Sequence, residues 1–316
     1  MESRLASLKS GLRNRGVKAV ARLVDEIPLE KRVRNEKVAR VTFLAPKEIR
    51  ERRKLANVLT GPGDVLFRID PTLGFTAFDW PDDQMALVKQ AIQSTQEAKR
   101  ADSWSGKSYF RSLRSLKDYS VNSPEFKLAT SPEMLKSVAL YLGRLPVLLD
   151  ISARVSLAEP DKPGQQFSGS QLFHRDMDDV ASVKVWILCS DVASENGPTV
   201  LLPSRLSHQI AREVSYRQGD KISDDRIFQS YQDDFFEAVG RVGSSYATDT
   251  CSSFHYGSRV RESKERLVLY FQYVSSTSVY FRPLGERAGS RRKKFFQVGD
   301  PTGLTEAQRI LMRGYI

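Results

Sequence analysis

The chain has 316 residues, of which 40% are hydrophobic, and its formal net charge is +11. This length is enough for one large domain or two small ones with a sizeable core. No run of about 18 apolar residues occurs, so we expect no membrane span, and the charged first ten residues argue against a secretory signal. Two cysteines, Cys189 and Cys251, give neither a disulfide framework nor zinc spacing, which favours a reduced, cytoplasmic protein.

The positive charge is concentrated at one end of the sequence. Residues 1–60 hold 16 Lys and Arg against 7 Asp and Glu, whereas the other residues hold 33 against 31. A basic segment can bind nucleic acid, anionic lipid or an acidic partner, or can form a solvated helical surface. No zinc finger, RNP-type motif or basic ribbon with interleaved aromatics accompanies it. We therefore do not expect a nucleic-acid partner, and the sequence does not define an oligomeric state.

The first half of the chain is predicted to be mainly helical. Helices are expected over residues 2–26, from Pro46 to about Leu59, over 82–100, and from the N-cap Ser131 to Gly143. Short strands are expected over 38–44 and 65–69. Residues 102–130 have no clear pattern, and together with 158–170 they are candidate substrate-facing loops.

The second half is predicted to consist mainly of short strands with turn signals between them. They are expected over 147–157, 180–192, 199–202, 242–250 and 266–281, with a charged insertion at 213–238 and a short helix from about Thr305. This pattern favours a jelly roll, a double-stranded β-helix core with flanking helices. The predicted divisions are a basic helical extension at 1–60, the jelly-roll domain at 61–290 with its core at about 145–280, and a peripheral tail at 291–316.

Three side chains of this region form a candidate metal site. His174 and Asp176 are two residues apart, which places them on the same face of an extended strand, and His255 lies in a segment that follows a later strand. Two histidines and one carboxylate are the ligands of non-haem Fe(II) sites, where three coordination positions stay open. Each histidine taken alone is also compatible with an ordinary core or surface position.

A charged residue supports the metal-site interpretation. Arg266 follows His255 by eleven residues and begins the longest predicted strand, where an unpaired charge is costly. Its guanidinium could bind the distal carboxylate of a dicarboxylic co-substrate in a forked geometry. The alternative is an arginine at a strand end whose head group reaches water.

Over roughly residues 145–280 the chain resembles the phytanoyl-CoA dioxygenase family of Fe(II)- and 2-oxoglutarate-dependent oxygenases. The resemblance depends on the order of these motifs: Phe173-His174-Arg175-Asp176, Asp191-Val192, Glu195-Asn196-Gly197-Pro198, Asp249-Thr250, His255-Tyr256-Gly257 and Arg266.

The resemblance implies a reaction and a set of site residues. His174, Asp176 and His255 would bind Fe(II), and Arg266 would bind the 5-carboxylate of 2-oxoglutarate. With O2 as the second co-substrate, succinate and CO2 would be released. Related halogenases have a small residue at the position of Asp176, so a carboxylate there implies hydroxylation.

The chain also departs from the family pattern. The segment Pro203 to His208 replaces a shorter Pro-Gly-Ser-His motif, and we interpret His208 as structural. Gly257 lies where a small polar residue often assists in binding 2-oxoglutarate. The second contact to 2-oxoglutarate is therefore not identified by this motif, and Gln171, Trp186 and Thr199 are the candidates for it.

The substrate is predicted only as a class. Arg175, Lys184 and the basic N-terminal segment favour an anionic substrate, such as a CoA or carrier-protein thioester, an acidic or phosphorylated sugar, or an amino acid. Two alternatives to a small-molecule oxygenase stay open. One is a jelly-roll binding protein without catalysis, and the other is a nucleic-acid-modifying oxygenase, suggested by residues 1–60.

Overall fold

The computed structural model describes a defined part of the chain, residues 46–59, 65–100, 105–114, 118–159, 167–176, 178–179, 181–217, 219–231, 234–275 and 302–312. The predicted helix over 2–26, the predicted strand over 38–44 and the basic run at 291–294 lie outside these residues. Within them, no helix is both long enough and apolar enough to cross a membrane.

Helices flank a set of short strands in the described residues. The α-helices are α1 (Pro46–Leu59), α2 (Asp82–Arg100), α3 (Pro124–Ala129), α4 (Pro132–Leu142), α5 (Ser204–Glu213), α6 (Asp224–Tyr231) and α7 (Glu306–Met312). The strands are β1 (Phe75–Phe78), β2 (Ser105–Lys107), β3 (Phe110–Ser112), β4 (Val147–Leu157), β5 (Ser182–Leu188), β6 (Val200–Leu201), β7 (Phe236–Glu237), β8 (Ser245–Thr248), β9 (His255–Tyr256) and β10 (Glu265–Val274).

The ends of α4 illustrate how the sequence determines a helix locally. The side chain of Ser131 accepts a hydrogen bond from the Met134 amide, and Pro132 occupies the first turn, where no amide donor is needed. Gly143 has a φ of 68°, a left-handed conformation that favours glycine. The predicted start and end of this helix are confirmed.

The major sheet has the strand order β1-β8-β5-β10-β4-β3-β2, and every pair in it is antiparallel. Its side chains alternate between two faces. On the outer face, Leu267, Leu269 and Phe271 of β10 join an apolar core with residues of α2, α3 and α4. The opposite, inner face of the same strand carries Arg266 and Tyr270.

A smaller sheet with the order β7-β6-β9 lies against the inner face. Side-chain contacts join the two sheets: Arg266 of β10 donates a hydrogen bond to Thr199, which precedes β6. Two isolated bridges, Phe173 with Ile222 and His174 with His255, extend the smaller sheet. The architecture is therefore mainly β with flanking helices, a jelly-roll core, as predicted.

Some predicted strands differ from the structure. The predicted strand over 65–69 is wrong: the amides of Leu66 and Phe67 donate to the Ser137 hydroxyl at 2.8 and 3.1 Å, so a side chain replaces the partner strand. These residues are apolar because they are buried in the core. The predicted strand over 180–192 is shorter, Ser182–Leu188. The predicted strand over 266–281 is present as Glu265–Val274, beyond which only residue 275 of this stretch is described.

Candidate metal centre

The backbone places the two candidate histidine ligands directly opposite each other. The His174 amide donates to the His255 carbonyl at 3.1 Å, and the His255 amide donates to the His174 carbonyl at 3.0 Å. Asp176 is held next to them by a hydrogen bond from its amide to the Thr250 carbonyl, 2.9 Å long. This pairing joins segments that are far apart in the sequence.

The side chains of these residues converge. One candidate ligand atom from each of His174, Asp176 and His255 lies within 4.8 Å of the others, which makes them a possible metal-binding group. His174 Nε2 lies 3.7 Å from Asp176 Oδ1, and His255 Nε2 lies 3.9 Å from Asp176 Oδ2. Two imidazoles and one carboxylate form the facial set that leaves half of an octahedral coordination sphere open.

Backbone carbonyls orient both imidazole rings. His174 Nδ1 lies 2.8 Å from the Leu172 carbonyl, and His255 Nδ1 lies 3.1 Å from the Ser253 carbonyl. A carbonyl oxygen can only accept, so each Nδ1 carries the proton and each Nε2 presents a lone pair to the site. Both tautomers are those that a metal requires.

Burial and neighbouring charges together keep the three candidate ligands in the protonation states that bind a metal. Burial lowers the pKa of His174 to about 3 and also lowers the pKa of His255, so both rings are neutral at neutral pH. Burial alone would raise the pKa of Asp176, but the Lys184 ammonium, the hydrogen bond that it donates and the two imidazoles together outweigh burial and lower this pKa. The site therefore holds two neutral imidazoles and one carboxylate anion.

Lys184 on the inner face of β5 is the closest charged partner of the site. Its Nζ donates to Asp176 Oδ2 at 2.5 Å, and both side chains are largely buried. Although burial opposes it, the Asp176 charge raises the pKa of Lys184. The ammonium restrains one carboxylate oxygen and leaves Oδ1 for a metal.

Arg266 forms a second polar site on the inner face. Its side chain is buried, with hydrogen bonds to the hydroxyls of Thr199 at 3.0 Å and of Ser156 and Ser258 at 3.2 Å. No carboxylate among the described residues pairs with it. Burial, together with Arg154, lowers its pKa to about 10, so the guanidinium is still charged at neutral pH.

The surroundings of Arg266 are compatible with a carboxylate ligand. Its Nε is buried and has no hydrogen-bond partner in the described part of the chain. A side-chain carbon at Gly257 would lie 3.5 Å from Arg266 Nη2 and from Thr199 Oγ1, so the glycine leaves space beside the guanidinium. With the ligand set of the triad, these features fit a metal ion and a dicarboxylate co-substrate.

Other predicted site residues have different surroundings. Gln171 donates to the Ser258 carbonyl at 3.1 Å, and Thr199 accepts from Arg266, so both lie beside the guanidinium site. Trp186 faces the inner side and donates to Thr248 at 3.0 Å.

Arg175 points away from the candidate metal ligands, as expected for a residue between two that share a face. Its guanidinium is buried 3.2 Å from Nδ1 of His208 and stacks over the rings of Tyr216 and Phe254. These contacts place Arg175 and His208 in the packing behind the triad.

Asp178 and Asp179 follow the triad in the sequence. Asp178 accepts a hydrogen bond from Gln272, and Asp179 accepts hydrogen bonds from Ser275, next to the end of β10.

Sequence reasoning missed Arg154 and the serines of the inner face. Ser152, Arg154 and Ser156 occupy every second position of β4, while Ile151, Ala153 and Val155 face the core. This alternation of polar and apolar residues is visible in the sequence. It could have identified a polar inner wall on this strand.

No protein-family model matches the chain, and no curated protein matches it. Solved structures similar to it include SnoK, the non-heme alpha ketoglutarate dependent carbocyclase from nogalamycin biosynthesis, with 18% identity, a TM-score of 0.45, and coverage of 74% of this chain and 90% of SnoK. HygX from Streptomyces hygroscopicus, with nickel, 2-oxoglutarate and hygromycin B bound, has 13% identity, a TM-score of 0.45, and coverage of 65% and 84%. EctD from S. alaskensis, with 2-oxoglutarate and 5-hydroxyectoine, has 12% identity, a TM-score of 0.44, and coverage of 68% and 82%.

Proposed function

We propose that the chain is an Fe(II)- and 2-oxoglutarate-dependent dioxygenase. It would use O2 to hydroxylate an aliphatic carbon of a small or carrier-linked anionic substrate, with release of succinate and CO2. The observation that carries the proposal is the convergence of His174, Asp176 and His255, together with a buried Arg266 on the inner face that has no carboxylate partner among the described residues. One set binds a metal with positions left open, and the other binds a carboxylate.

Each residue has a separate task in this proposal. The two imidazoles would bind iron through Nε2, and Asp176 would bind it through Oδ1 while Lys184 holds Oδ2. Arg266 and Thr199 would bind the 5-carboxylate of 2-oxoglutarate and orient its keto acid end toward the triad. When bound, Fe(II) supplies the redox chemistry that couples oxidation of 2-oxoglutarate by O2 to transfer of one oxygen atom to the substrate. The buried inner face would exclude bulk water from the reacting groups.

The test is a spectroscopic titration without oxygen. We expect a visible charge-transfer band when Fe(II) and 2-oxoglutarate are both added to the wild-type protein, and no band with either alone. Asp176→Ala and His174→Ala should lose the band and the substrate-dependent release of succinate. His208→Gln removes the histidine outside the triad and should retain the band, which makes it the matched control.

The alternatives give different results. A wild-type protein that develops no band contradicts the proposal and favours a jelly-roll binding protein without catalysis. Tight binding to DNA or RNA that weakens steeply with salt would favour the nucleic-acid-modifying alternative. Succinate release across a panel of acidic metabolites, carrier thioesters and sugars would then identify the substrate.

A further inference from the structure

Arg154 lies on the inner face of β4, between two aromatic rings. Its guanidinium carbon is 4.9 Å from the centre of the Phe110 ring and 4.8 Å from the centre of the Tyr270 ring. Its Nε donates to Ser152 at 3.0 Å. Arginine stacks well on aromatic faces, and such stacking fixes the plane of the guanidinium. Because the rings cover its faces and Ser152 binds Nε, a ligand would approach in the plane, at the edge formed by Nη1 and Nη2.

Among the described residues, Asp150 is the only acid within 4 Å of the Arg154 guanidinium, and its contact is weak. Arg154 Nη2 lies 3.9 Å from Asp150 Oδ2, which is beyond hydrogen-bond distance. The same oxygen already accepts a hydrogen bond from the Tyr270 hydroxyl at 3.0 Å. Burial raises the pKa of the Asp150 carboxyl, which disfavours its charged form. Arg154 also keeps 32% of its side-chain surface exposed, so a ligand can reach it.

The position of Arg154 connects it to both parts of the proposed site. In the pairing of β4 with β10, Arg154 lies opposite Val268 and Ser156 lies opposite Arg266, so the two arginines are diagonal neighbours on one wall. The Tyr270 ring that stacks on Arg154 also lies 5.9 Å from Lys184 Nζ, and Lys184 contacts the metal ligand Asp176. A group bound at Arg154 would therefore lie on the same inner wall as the metal centre.

Arg154 and Arg266 place two positive charges on one wall, so this wall can bind more than one anion. Arg266 is held by hydroxyls, and a single carboxylate of 2-oxoglutarate bound there would leave the Nη1–Nη2 edge of Arg154 without a close anionic partner. The forked Nη1–Nη2 edge can bind a planar carboxylate through two parallel hydrogen bonds.

We propose that Arg154 binds a carboxylate of the substrate, and that the substrate of this chain is a carboxylic acid held against the inner face of β4 and β10. The inference depends on the proposed function, because it places the substrate at that metal centre. The other source of the same group is 2-oxoglutarate itself, and the experiment separates the two.

The experiment uses the full chain with Fe(II) and 2-oxoglutarate in the absence of oxygen. Carboxylic acids and their primary amides are added in pairs, and the change in the charge-transfer band gives an apparent affinity for each. We expect at least one acid to bind at least about tenfold more tightly than its amide, as charged hydrogen bonds predict. Arg154→Met should remove this preference and leave the affinity for 2-oxoglutarate within about threefold of the wild type.

Two further variants complete the design. Arg241→Met changes an exposed arginine and should keep the acid preference. Arg154→Lys keeps the charge without the forked edge and should keep only part of the preference. Circular dichroism and thermal unfolding check that each variant is folded. If Arg154→Met does not fold, Arg154→Lys is tested in its place.

Several results would overturn the inference. If no acid in the panel binds to the wild type more tightly than its amide, the site does not recognise a substrate carboxylate and the inference is wrong. If Arg154→Met weakens 2-oxoglutarate tenfold or more, the arginine serves the co-substrate. Phosphate esters are titrated in the same way, and tighter binding of these esters than of the carboxylic acids, lost in Arg154→Met, also contradicts the inference. Absence of the band in the wild type would remove the proposed function and this inference together, whereas a normal band without acid preference removes the inference alone.

Discussion

The two faces of β10 have different chemical environments along the same strand. On the outer face, Leu267, Leu269 and Phe271 pack in the apolar core with the helices. On the inner face, Arg266 and Tyr270 have polar partners. Successive side chains of a strand point to opposite faces, so the side chains that stabilise the fold lie on one face and those assigned to the proposed function lie on the other. A change on one face should therefore affect folding, and a change on the other should affect ligands.

The largest effect is expected from Phe271→Ala on the outer face. Phe271 is fully buried, so truncation leaves a cavity and should lower the free energy of unfolding by about 3–5 kcal/mol. Denaturant unfolding measures this loss. Below the new unfolding midpoint, the charge-transfer band should keep its wild-type position. Leu73→Ala, at an exposed site, is the control and should change stability by less than about 0.5 kcal/mol. A shifted band in Phe271→Ala would mean that the faces are coupled.

The next effect is expected from Arg266→Met on the inner face. The variant removes a buried cation held by three hydroxyls, so the free energy of unfolding should stay within about 1 kcal/mol or increase. The affinity for 2-oxoglutarate should fall by about 30- to 100-fold, since charged hydrogen bonds to its carboxylate are lost. Titration of the charge-transfer band and denaturant unfolding measure the two quantities. A large loss of stability with an unchanged affinity for 2-oxoglutarate would mean that Arg266 stabilises the fold and does not bind the co-substrate.

The smallest effect is expected from Tyr270→Phe. It removes the hydrogen bond from the hydroxyl to Asp150 and should cost about 1 kcal/mol of stability. The ring that stacks on Arg154 is kept, so the preference for acids over amides should persist. Tyr270→Leu removes the ring as well, and the preference should then decrease. Equal preferences in both variants would show that the ring does not position the guanidinium.

The sequence predicted those parts of the molecule that are determined locally. The caps of α4 and the full length of β4 follow from Ser131, Gly143 and an apolar run with β-branched residues. The candidate metal ligands were predicted from spacing and residue order, and the structure brings these three side chains together. These signals depend on residues that are close in sequence or chemically distinctive.

Other parts depend on partners that a local pattern does not contain. The two-residue strand β9 exists because its backbone pairs with β6 and places His255 opposite Leu201. The apolar run at 65–69 became a loop because Ser137 satisfies its amides. Arg154 was missed because its significance comes from Phe110 and Tyr270, which flank it only in the sheet.

The backbone pairing of His174 with His255 has a consequence for folding. The two residues are 81 positions apart, so closing the chain between them costs conformational entropy before either imidazole meets the other. The complete ligand set therefore exists only after the sheets have closed. A divalent ion bound there would act as a removable cross-link across this long loop. It would favour the folded state by mass action, and chelation would reverse that gain without breaking a covalent bond.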